Sequence, residues 1–161
     1  MRRIAVTGHR PNKLGGYSEE AHEHLISIAY SWLINTKDTV EILFIGMALG
    51  WDQACAEACL RANVPYVACI PFRGQETIWN KQSQQNWERL CKNAQAQIIV
   101  CPGGFSPRKM QVRNQHMIDN TNEVLAMWNG DRFGGTWNCI KYAQEQSKPI
   151  INFYTYFGIV Q

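Results

Sequence analysis

Residues 129–136, NGDRFGGT, run an Asn-Gly-Asp turn into a Gly-Gly-Thr that opens a helical pattern. Such a helix start leaves the N–H groups of Gly134 and Gly135 open to an anion, and the Thr136 hydroxyl adds a donor. The bland alternative is a glycine turn that serves only close strand-to-helix packing. Earlier in the chain TGHRP (7–11) supplies Thr7, Gly8, His9 and Arg10. Gly8 permits a tight turn and close approach of a ligand to the backbone, and Arg10 suits bidentate pairing with a phosphate. The alternative there is a solvated turn whose arginine meets a surface acid. GMALGWD (46–52) brackets a turn between Gly46 and Gly50 ahead of a helix, and Asp52 fits either a first-turn charge or an acceptor for a ribose hydroxyl. In RNQHMID (113–119), Arg113 reads as a second phosphate clamp with Asn114 beside it. His116 stands alone, and a lone histidine is more often structural than chemical. The shared chemistry is the holding of a phosphate and a sugar.

These stretches need a frame that brings them together. Six short apolar runs, at 3–7, 41–46, 66–71, 97–101, 123–128 and 149–154, are each short enough to be a fully buried strand. Between them lie amphipathic segments at 18–36, 51–62, 76–93, 108–120 and 135–146. Strands alternating with helices predict a Rossmann-like three-layer α/β/α sandwich with a mainly parallel sheet of about six strands. Right-handed crossovers put every strand's C-terminal end on one edge, where open α/β sheets bind ligands. The glycine- and arginine-bearing stretches all follow strands, so they converge on that edge. In the segment 72–109, Trp79, Trp87 and Leu90 form the apolar face of one helix on this reading; the alternative is a lid or an interface.

The 161 residues suit a single domain spanning 1–161. A net charge of +3 without a basic run fits a small anionic ligand better than a nucleic-acid surface. The six cysteines show no C-x-x-C pair, so buried reduced thiols in a reducing compartment are expected, with no metal. No apolar run reaches the ~20 residues that cross a bilayer, and MRRIAVTGHR reads as a first strand, not a signal peptide. Together these predict a cytoplasmic protein with no membrane partner.

Taken in order, TGHRPNKLGGY, GMALGWDQACAEAC, PFRGQETIW and QVRNQHMIDNTNEVLAMWNGDRFGGTWNCIKYAQEQSKPII resemble the YpsA-like (DUF1273) branch of the SLOG superfamily. That superfamily unites DprA/Smf proteins and the LOG enzymes. The resemblance implies a Rossmann-like fold whose glycine-rich loops bind nucleotides or nucleotide-derived molecules such as ADP-ribose, commonly as homodimers or higher oligomers. LOG members hydrolyse the N-glycosidic bond of nucleoside monophosphates with a Gly-Gly-x-Gly-Thr-x-x-Glu motif and an upstream arginine, which Arg113 would match. Here the Glu position is Cys139. A neutral thiol neither stabilises an oxocarbenium ion nor activates water as a carboxylate does. The expectation is therefore a binding protein of the sensing or sequestering kind, without a cofactor, and with no catalytic residue assigned. The alternative is a nucleotide N-glycosidase using a displaced carboxylate: Asp52, Glu57, Asp119 or Asp131. DNA association is the least expected reading.

Overall fold

Six strands form one sheet in a computed structural model that describes residues 1–158. The last three residues of the expected 1–161 span lie outside the described ones. The strands are β1 (Arg2–Gly8), β2 (Val40–Ile45), β3 (Tyr66–Ile70), β4 (Ala96–Ile99), β5 (Glu123–Met127) and β6 (Ile150–Asn152). The helices are α1 (Glu19–Thr36), α2 (Trp51–Ala62), α3 (Lys81–Lys92), α4 (Pro107–Asp119), α5 (Gly134–Glu145) and the short α6 (Tyr154–Phe157). All strand pairs are parallel and the order is β4-β3-β2-β1-β5-β6.

Strand alternation sorts the core into two layers. Ile4 and Val6 of β1, Leu43 and Ile45 of β2, and Leu125 and Met127 of β5 face α1, α2 and the end of α3. Ala5, Ile42, Phe44, Val124 and Ala126 point the other way, onto Met117 and Ile118 of α4 and Cys139, Ile140 and Ala143 of α5. This is the period-two pattern of strands covered on both faces. Helix α1 starts where its sequence supplies a cap: the Ser18 hydroxyl accepts from the Ala21 N–H at 3.1 Å, with Glu19 and Glu20 in the first turn. Ser18→Ala should cost about 1 kcal/mol of stability, measured by chemical denaturation, without altering the site.

Two expectations need correction. The runs 97–101 and 149–154 are not fully buried strands. β4 is an edge strand paired only with β3, and Ala96, Gln97 and Ile99 are exposed. β6 is the other edge of the sheet, and Ile150, Ile151 and Asn152 are only partly buried. A parallel edge strand and a central one carry the same apolar signature, and only the sheet order separates them. Second, the helix expected over 76–93 begins at Lys81, capped by the Asn80 side chain accepting from Ser83 N–H. Trp79 therefore lies in the preceding turn. Trp87 does pack against the core, and its indole N–H donates to Gln75 Oε1 at 2.9 Å. Gln75, itself buried, donates to the Gly46 carbonyl at 3.0 Å. The tryptophan-rich middle thus braces the loop after β2.

Candidate functional site

The chain runs β1 to β4 toward one side of the sheet and then returns to place β5 on the other side of β1. The gap between the C-terminal ends of β1 and β5 is the topological switch point, where such sheets accept ligands. A cleft of about 200 Å³ opens there. Hydrogen bonds hold its floor: His9 N–H donates to Met127 O at 3.1 Å, and Asn129 N–H donates to His9 Nε2 at 3.0 Å. An amide can only donate, so Nε2 carries a lone pair and the neutral ring's proton sits on Nδ1. Burial also pulls the His9 pKa below 6.5, which keeps the ring neutral at pH 7.

Of the residues singled out in the sequence, Thr7, Gly8, His9, Arg10, Asp52, Arg113, Asn114, Gly134, Gly135 and Thr136 all line this cleft. Helix α5 presents its first turn to it with Phe133 as N-cap, no side-chain cap and no acidic residue. Its first N–H groups are thus left for a ligand or for water. Arg10 is exposed, and its side chain makes no hydrogen bond among the described residues. Lys13 reaches the same cleft because the 3-10 turn Pro11–Lys13 folds it back, 3.8 Å from Asp131. Lys13, Asn12, Met110 and Phe133 went unread in the sequence. The signals were Lys13 three residues after Arg10 and an aromatic residue directly before the glycine pair.

Gly46 and Gly50 are not among the residues that line the cleft, although Ala48 between them is. A Cβ at Gly46 would lie 2.6 Å from Arg113 Nη1 and 3.0 Å from Asp52 Oδ2. The space beside that glycine belongs to an arginine and a carboxylate. Gly50 has φ +94, and a Cβ there would meet the His9 carbonyl at 2.6 Å. The glycines bring α2 and α4 against the strand ends.

Arg113 is buried, and most of its donors are committed to the protein. Its Nη1 donates to the Gly46 and Cys69 carbonyls and its Nε to Asn114 Oδ1 at 3.0 Å. Only Nη2 lacks a partner among the described residues, so the expected phosphate clamp is foremost a tie between α4 and the ends of β2 and β3. Asp52 is 5% exposed, accepts at Oδ2 from Ala48 N–H at 3.2 Å, and has no partner at Oδ1 among the described residues. Burial raises its pKa to about 6 against the opposing pull of Arg113. At pH 7 the cleft then carries Arg10, Lys13 and Arg113 against Asp52, a positive balance.

The other carboxylates do not line the cleft. Glu57 pairs with Arg61 and Arg89, Asp119 accepts from Tyr142 Oη at 2.7 Å, and Asp131, beside Lys13 at the cleft's edge, closes a side-chain turn with Asn129. Cys139 is fully buried beneath the cleft, and burial pushes its thiol up to about 11. Neutral and enclosed, it offers neither nucleophile nor base. His116 does not reach the cleft.

Residues 4–156 match the YspA SLOG family, and the chain belongs to it. The SPbeta prophage-derived protein YoqJ of Bacillus subtilis (strain 168) is 33% identical over 127 residues, covering 68% of this chain and 73% of that protein. A UPF0398 protein of Bacillus cereus (strain ATCC 14579) is 25% identical over 166 residues, 98% of this chain and 90% of its own. Among solved structures, DNA processing protein A from Streptococcus pneumoniae superposes with a TM-score of 0.61 at 17% identity. It is matched by 93% of this chain, which spans only 49% of that protein. The molybdenum cofactor binding protein of Rippkaea orientalis gives 0.60 at 14% identity, over 94% of this chain and 75% of that one. At these identities the structural likeness is one of fold.

Proposed function

We propose that this SLOG-family chain binds a nucleotide or a nucleotide-derived, ADP-ribose-like molecule at the switch point, as a sensor or sequestering protein. One observation carries the reading: the uncapped start of α5 faces Arg10 and Lys13 across a cleft of small-molecule size. Backbone donors, a helix dipole and the cations Arg10 and Lys13 suit a phosphate. Asp52, buried with one oxygen unpaired, supplies the acceptor that a sugar hydroxyl would meet. Two fold neighbours are described as binding proteins, one for the molybdenum cofactor and one, DNA processing protein A of Helicobacter pylori, for single-stranded DNA. Both descriptions are in keeping with ligand binding on this fold.

The same reading treats the chain as one domain, since one sheet organises both core layers. It expects a cytoplasmic protein, in keeping with the five buried thiols. It expects a homo-oligomer, which would cover the exposed edge of β4.

Calorimetric titration with AMP and ADP-ribose should give dissociation constants at or below the micromolar range, about −8 kcal/mol. Absence of heat with both, together with no nucleotide recovered by mass spectrometry from the purified protein, would sink the proposal. A second reading, N-glycosidase activity, rests on Asp52 alone, the carboxylate in the cleft. Water would replace the base at the sugar's anomeric carbon; the base of a nucleoside monophosphate would leave with a proton, whereas the nicotinamide of NAD would leave neutral and water's proton would pass to solvent. Free base released from nucleoside monophosphates or NAD, and lost in Asp52→Asn, would move the protein from binder to enzyme.

A further inference from the structure

We infer that Phe133 is the seat for the planar base of the ligand, directly beside the phosphate cradle. Phe133 is the N-cap of α5, lines the cleft, and is 66% exposed. Its neighbours in the same loop region are engaged. Trp137 stacks on Trp128 with centroids 5.6 Å apart and 17° between planes, and Arg132 lies 5.7 Å from the Trp137 ring. Phe133 has no aromatic partner among the described residues; its contact is the Lys13 ammonium, 4.9 Å from the ring centroid.

An ammonium covers at most one face of a benzene ring, so the other face is open. Lys13 therefore does two things: it adds positive charge to the cleft and restrains the ring from one side. Leaving a phenyl face in water forfeits the gain that burying it would bring. A heteroaromatic base recovers that gain, because every base has a π-face and stacking tolerates base identity. The thioether of Met110 on α4, in the same cleft, is the soft apolar surface that suits a ring edge. Gly134 follows Phe133 immediately, so a phosphate on the N–H groups of 134–136 leaves the base within reach of residue 133. The inference rests on the binding reading above and deepens it by assigning the base subsite.

The test compares ligands with and without a base. Wild-type protein is titrated with AMP, GMP, CMP and UMP, and with ribose 5-phosphate. The nucleotides should bind more tightly than ribose 5-phosphate. Phe133→Leu should weaken the nucleotides about tenfold and leave ribose 5-phosphate unchanged, while Phe133→Trp restores nucleotide affinity. Equal wild-type affinity for nucleotides and ribose 5-phosphate overturns the base seat and leaves the phosphate site standing. So does equal weakening of both classes in Phe133→Leu, or no weakening of either. Failure of wild-type protein to bind any of them overturns the base seat, and failure with ADP-ribose as well overturns the binding reading.

Discussion

Arg113→Met is expected to destabilise the fold by about 1–3 kcal/mol, read as a lower denaturation midpoint at an unchanged slope. The guanidinium is 5% exposed and ties the Gly46 and Cys69 carbonyls to Asn114. Gly46 would keep its hydrogen bond from Gln75, while the Cys69 carbonyl and Asn114 Oδ1 would lose theirs from the guanidinium. Asp52 would lose its principal neutralising neighbour and, at pH 7, would either stay charged in a buried site or take up a proton. Two consequences separate this account from simple cavity formation. The Arg113→Met/Asp52→Asn double variant should recover part of the loss, because it removes the stranded charge; strict additivity of the two changes would refute the coupling.

The second consequence is in the pH dependence. Asp52 has a folded pKa of about 6, above the ~3.9 of an unfolded aspartate, so the native state holds the extra proton between those values. Its contribution is fully present below the unfolded pKa, and stability falls as pH rises to about 6. Asp52→Asn should flatten that slope. Without Arg113 the carboxyl pKa rises further, so Arg113→Met should be less damaging at pH 5 than at pH 8. A pH-independent loss would point to packing alone.

Much of this frame is legible in the residues, and the failures share a cause. The runs that became β1, β2, β3 and β5 are apolar on both strand faces, and both faces are covered. The run that became β4 is just as apolar, yet sheet order, a property of long-range pairing, leaves it at the edge. Arg10 and Arg113 look alike in sequence, each beside a polar residue in a segment that follows a strand. Only the fold shows that Arg113 spends its donors on its own backbone while Arg10 keeps them. At Gly46 and Gly50 the sequence cannot separate the two cases, because a glycine that admits a phosphate and one that admits neighbouring protein atoms leave the same mark. Lys13 was missed since its position depends on a 3-10 turn that begins with Pro11, not on any periodic pattern.

That contrast makes Arg10→Ala the sharper functional test. It should weaken AMP binding by about 1.5–3 kcal/mol, the range for a charge-assisted hydrogen bond, or roughly ten- to 150-fold in dissociation constant. Folding stability should stay within about 0.5 kcal/mol of wild type, since the exposed side chain holds nothing in the free protein. Arg113→Met mixes folding with binding, whereas Arg10→Ala isolates binding. Arg10→Lys keeps the charge and gives up the planar fork, so it should recover only part of the affinity if the contact is bidentate. Added salt should narrow the gap between wild type and Arg10→Ala, because the exposed charge is screened. An Arg10→Ala protein that binds AMP as tightly as wild type would remove Arg10 from the site. The phosphate would then rest on the α5 N-terminus and Lys13 alone, and Lys13→Ala would become the decisive substitution.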